Sequence, residues 1–187
     1  MKKILTAVVL LIMVFAFAGC GTKTVVNPTG GKTEPKEKIK GNCKAYDCIK
    51  KLEITDTLEE VNKKMGFDGT LTNETYNIYK WEITSDSSIE VTFYSSGKST
   101  IKAEFNKEEV ANSKVDLSQL TEMKTMVQKG EMTYSKFKEM VGNVDGVLVE
   151  KSSFSNKYLW YNAKTKYVTG TFSLSTEKCT FLIGYNN

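Results

Sequence analysis

The chain has 187 residues, with 26 Lys+Arg against 22 Asp+Glu, a formal charge of +4, and every one of its 26 basic residues is a lysine. With no histidine, the imidazole relays of hydrolases and the usual zinc sites are excluded. With no arginine, there is no planar fork for bidentate grip on phosphate or guanine, which argues against an enzyme of common type and against a reader of nucleic-acid sequence.

Residues 1–19 read as an export leader. Lys2 and Lys3 precede an uncharged, mostly apolar run of 14 residues, Ile4 to Phe17, followed by the small Ala18 and Gly19. A helix needs about 20 apolar residues to span a bilayer, so this run is too short. Phe17-Ala18-Gly19-Cys20 resembles the bacterial lipobox, in which the thiol of the first mature residue takes a diacylglycerol. That resemblance implies lipidation at Cys20, with palmitate-type chains holding the protein on the extracytoplasmic face of the cell membrane. A plain signal peptide followed by a chance cysteine is the alternative.

Residues 20–42 read as a flexible tether with few apolar residues, holding both prolines, Pro28 and Pro35, and the pair Gly30-Gly31. Its five lysines against Glu34 and Glu37 give it a charge of +3, while residues 41–187 carry 19 lysines against 20 acids. The basicity therefore belongs to leader and tether. It suits an anionic membrane surface and gives no nucleic-acid footprint.

The remaining 145 or so residues repeat themselves. Thr57 to Gly66 matches Thr133 to Gly142 at an offset of 76. Asp68-Gly69 matches Asp145-Gly146, Tyr79-Lys80-Trp81 matches Tyr158-Leu159-Trp160, and Ile101 to Asn106 matches Phe181 to Asn186. The boundaries are 43–110 and 111–187. Each unit opens with a helix, around Tyr46 to Leu52 in the first and Leu117 to Gln128 in the second. A second, short helix follows, capped by Thr57 or Thr133 and stopped by Gly66 or Gly142. The stripes Leu58, Val61, Met65 and Tyr134, Phe137, Val141 are core faces.

Beyond each glycine the period drops from 3.6 to 2. Ile89, Val91 and Phe93 alternate with polar neighbours, as do Ile101, Ala103 and Phe105, and Val168, Gly170, Phe172 and Leu174. Short Ser/Asn/Gly turns join these strands into antiparallel hairpins. The expected fold class is α+β: two tandem units of two helices and about four antiparallel strands, sharing a sheet or an interface, with helices on one face and water on the other.

This pattern resembles the β-lactamase inhibitor protein-like (BLIP-like) fold, and a single unit resembles the SmpA/OmlA envelope lipoproteins. Met132-Thr133 through Gly142 is similar to the second family's Gly-Met-Thr…Val…Gly helix, with Glu131 inserted after Gly130; Thr55-Asp56-Thr57 departs from it. The resemblance implies a concave sheet surface that binds protein partners. Its members serve several unrelated roles, so it implies fold more than function.

Three candidate sites follow. On the wet face the second unit would show Leu159, Tyr161, Tyr167 and Leu182, and the first Ile78, Lys80, Glu82, Glu90, Tyr94 and Lys102. Tyrosines among polar residues are favoured at interfaces, although they also stabilise ordinary strands. The hairpin Thr84 to Ser88 places Asp86 where the resemblance puts the acid that enters an inhibited enzyme. Ser87 stands where the inhibitor has an aromatic, and ordinary turn chemistry explains Asp86 equally well. Cys43 and Cys48 enclose four residues and can form a disulfide in an exported protein. Cys179 shares the core face of Phe181 and Ile183 unless its strand bulges.

No metal site or cofactor is expected: three thiols without histidine form no standard set, and Asn143 to Gly146 lacks calcium ligands at the flanking positions. The expected function is a membrane-anchored, non-enzymatic module that binds another envelope or extracellular protein through the sheet. Inhibition of a secreted β-lactamase or peptidase, or a structural part in envelope assembly, are the alternatives.

Overall fold

The computed structural model describes residues 39–163 and 166–185; the leader, Cys20 and nearly all of the tether lie outside the described residues. Its first helix, α1, spans Ala45–Lys51, with Asp47 in the opening turn and Lys50 and Lys51 in the last, both favourable to the helix dipole. Cys43 and Cys48 are joined as a disulfide across the start of α1, their Cα atoms 5.4 Å apart. Ala45, Cys48 and Ile49 face inward and are fully covered.

Helix α2, Leu58–Met65, begins at a full capping box. The Thr57 hydroxyl accepts from Glu60 N–H, and the Glu60 carboxylate accepts from Thr57 N–H. Gly66 ends it with φ 83°, a left-handed conformation that glycine adopts without Cβ strain. Four strands follow: β1 (Thr70–Asn73), β2 (Ile78–Thr84), β3 (Ser87–Phe93) and β4 (Ser99–Glu104). A single 3₁₀ turn, Lys107–Val110, leads to α3 (Leu120–Gln128) and α4 (Tyr134–Met140), then to β5 (Val147–Lys151), β6 (Ser155–Asn162), β7 (Lys166–Ser173) and β8 (Cys179–Tyr185).

Helix α3 starts three residues after Leu117. The Asp116 carboxylate takes Ser118 N–H at 2.9 Å and Leu120 N–H reaches Leu117 O, so this stretch closes as a turn before the helix. Leu117 is buried nonetheless, which is why its apolar spacing reads as helical.

The eight strands form one open sheet whose spatial order is the chain order, every neighbour antiparallel. The described residues are thus α+β, with four α-helices and one eight-stranded meander. The seam between the halves is narrow: β4 and β5 pair only at Ile101–Lys151 and Lys102–Glu150.

Two cores lie under the helices. The first gathers Ile49, Val61, Met65, Trp81, Ile89, Val91 and Ile101. The second gathers Met123, Met132, Phe137, Trp160, Val168, Phe172 and Cys179. Each is keyed by a tryptophan on a glycine. Trp81 Nε1 donates to Asn62 Oδ1 at 3.0 Å and to Phe67 O at 3.1 Å, and the same Asn62 oxygen takes Gly69 N–H at 3.0 Å. Trp160 Nε1 donates to Val144 O at 2.9 Å, and Gly146 N–H goes to the Tyr134 hydroxyl at 3.2 Å. A Cβ on Gly69 would stand 2.5 Å from Trp81 Cζ2, and one on Gly146 2.6 Å from Trp160 Cζ2. Only hydrogen fits where backbone and indole meet.

Candidate sheet-face site

Strand alternation sorts the residues onto two faces. Trp81, Ile89, Val91, Ile101, Trp160 and Val168 point to the helices, so their neighbours point away. Across the helix-free face, register aligns Lys80 with Glu90, Glu90 with Lys102, Lys102 with Glu150, and Glu150 with Lys157. These five residues make a ladder of alternating charge through five strands, including the seam. Opposite charges on neighbouring strands each contribute roughly 0.2–1 kcal/mol. Lys80 and Lys102 also meet Glu82 and Glu104 along their own strands, at 3.4 and 2.6 Å. The bond to Glu104 raises the pKa of Lys102, with Glu90 and Glu150 adding to the effect against partial burial.

In the second half the expected face is largely covered. Leu159 and Tyr161 are 3% and 9% exposed. The correction has a plain cause: the chain leaving β4 must pass over β6 to reach α3, and it does so on this face. The Tyr161 hydroxyl donates to the Glu108 carboxylate, which raises the tyrosine pKa, and Asn112 N–H bonds Tyr161 O at 2.9 Å. Lys107 Nζ sits 3.9 Å above the Tyr167 ring, a cation–π contact. A cavity of about 160 Å³ remains where β4 and β5 diverge, between Phe105, Lys107, Val149 and Leu159. Glu109, next to Glu108, bonds Lys44 at 2.9 Å and raises its pKa. Two adjacent glutamates therefore tie the crossing turn to both halves, a role their sequence context did not reveal.

Leu182 is a second correction. It packs with the second core rather than facing water. A bulge shifts the β7–β8 register between Thr171 and Phe172, so Phe172 pairs with Cys179 while Gly170 pairs with Leu182. The extra residue flips the alternation, sending Cys179 and Leu182 inward and Phe181 and Ile183 outward. Phe181 is 54% exposed and Ile183 36%. They stand opposite Thr171 and Thr169, whereas alternation without a bulge sends them to the core. Cys179 is a free, buried thiol whose pKa burial pushes up to about 11, so it is a packing residue with little thiolate character.

Tyr94 is 52% exposed at the far end of the first half, its hydroxyl 3.3 Å from Thr100 Oγ1. Asp86 is exposed in the two-residue turn between β2 and β3, accepting from Thr84 Oγ1 at 2.9 Å. The structure does not bring Asp86, Tyr94 and the second-half aromatics into one cluster by any contact. Among the described residues no group of three or more metal-ligating side chains converges, and no helix is long and apolar enough to cross a membrane.

The comparisons place no relative beside this geometry: no family model, no curated protein and no solved structure matches the chain.

Proposed function

We propose that the chain is a lipid-anchored, extracytoplasmic binding module built from two BLIP-like units, engaging a protein partner through the helix-free sheet face. The duplication is supported by equivalent devices in both halves. Thr57 and Thr133 accept from the third helical N–H, Gly66 and Gly142 follow the helices with φ 83° and 91°, and each tryptophan indole bonds a carbonyl two residues before its glycine. The anchor rests on Cys20 and its preceding residues.

One observation carries the binding reading: the four α-helices of the described residues pack on one side of the sheet, and the other side keeps Phe181, Ile183 and Tyr167 beside a row of alternating charge. Apolar and aromatic side chains bordered by charge form the usual make-up of a protein interface. Leu159 and Tyr161 support this surface from beneath the crossing turn and do not meet the partner.

A photo-crosslinking residue at Thr169, on the sheet face, and another at Glu59, on α2, test the reading on intact cells. One defined protein adduct from position 169 and none from position 59 is the expected result. Equal adducts from both positions, or loss of the adduct in neither Phe181→Ser nor Ile183→Ser, would refute it. Cys20→Ser should move the protein from the membrane fraction to the medium. Enzyme inhibition is a second reading, favoured by the exposed tip position of Asp86; Asp86→Ala should then weaken a dose-dependent inhibition.

A further inference from the structure

One aromatic concavity lies away from the sheet face. Tyr134 at the start of α4, Tyr158 on β6 and Phe172 on β7 pack ring to ring, with centroids 4.8 Å apart for the tyrosines and 5.3 Å from Tyr134 to Phe172. Between these rings and the turn joining β7 to β8 is a pocket of about 320 Å³, with Asn156 and Ser135 on its wall and Leu174 and Glu177 on its rim. That is at the lower end of small-molecule sites. The chain has 26 lysines, yet among the described residues none lines this pocket, and Glu177 is its one acidic or basic residue.

Glu177 is held there at a cost. Its φ is 58°, in the left-handed region that favours glycine or asparagine. The backbone enforces this: Glu177 N–H donates to Ser173 O at 2.9 Å, and Glu177 O accepts Tyr134 N–H at 3.3 Å. Among the described residues its carboxylate has no hydrogen-bond or ion-pair partner. Glu177 is solvent-exposed, so its charge is free to meet a ligand at the mouth of the pocket. Tyrosine rings and a carboxylate residue lining one pocket are elements suited to a cation carrying apolar surface. We propose that this pocket binds a small organic ammonium, a primary or quaternary amine on a short apolar stem.

The test uses the full chain in detergent, with Trp160 fluorescence as reporter, since that ring lies 5.9 Å from Tyr134. The probes are butyltrimethylammonium and butylammonium, against neutral 3,3-dimethylbutanol and anionic butyrate. A saturable signal with either cation, weakened about three- to tenfold by Glu177→Gln, is expected. Glu177→Gly should raise Tm by relieving the backbone while weakening the cation to the same extent as Glu177→Gln. Equal affinity for the alcohol, no effect of Glu177→Gln, no saturation with either cation, or a lowered Tm in Glu177→Gly would overturn the proposal.

Discussion

The tryptophan-on-glycine contact can be tested with one methyl group. Neither Gly69 nor Gly146 uses a left-handed φ, so alanine meets no backbone strain at these positions. Removing glycine's freedom from the denatured chain would by itself stabilise by about 0.4–1 kcal/mol. Against that, the new Cβ of Gly69→Ala would stand 2.5 Å from Trp81 Cζ2, far inside van der Waals contact. The indole cannot move aside cheaply, because Trp81 is fully buried and its N–H is shared between Asn62 and Phe67. Overpacking of this kind costs about 1–3 kcal/mol, leaving a net loss near 1–2 kcal/mol. For a folded part of this size that lowers Tm by about 2–8 °C. Calorimetry with a far-UV dichroism melt measures it. Gly146→Ala should behave alike, and the double variant should show the sum, since the two sites lie in separate cores. A Gly69→Ala protein melting at or above the parent, or a Gly69→Val protein no worse than alanine, would refute the close-fit argument.

Other expectations follow from the contacts. Lys102→Glu places an acid among Glu90, Glu104 and Glu150, so it should lower Tm and sensitise the β4–β5 seam to hydrogen exchange, with the loss shrinking at high salt. Cys43→Ser with Cys48→Ser should destabilise by about 2 kcal/mol in denaturant titration, the entropy of one small loop, and a reductant should add nothing further. Its bonds to Thr57 N–H and hydroxyl lower the pKa of Glu60 below 4.5, so its contribution is present above that pH and fades as pH falls through the lowered value; Glu60→Gln should flatten this part of the acid melt. Tyr161→Phe should free the crossing turn, seen as faster amide exchange over 107–112 with little change in either core.

The class of fold was legible because it rests on local rules. Thr57 and Gly66 bracket a helix whatever surrounds them, and alternation in Ile89 to Phe93 makes a strand with one apolar side. The disulfide candidates lie five residues apart, within reach by local geometry alone. Alternation with Trp160, which fills the core, places Leu159 and Tyr161 on the opposite face. Their burial was invisible, since it depends on residues 105–112 crossing from another part of the chain.

By itself the amino-acid order determined the helices, the strands, their antiparallel hairpins and the absence of imidazole and guanidinium chemistry, all properties set within a few residues or by composition. Tertiary structure alone decided which surfaces remain open. One bulge turned Phe181 and Ile183 outward and Leu182 inward, one crossing turn buried Tyr161, and a turn pinned to α4 stood Glu177 beside two tyrosines far from it in sequence. Exposure is a sum over every segment that packs nearby, so no local pattern contains it.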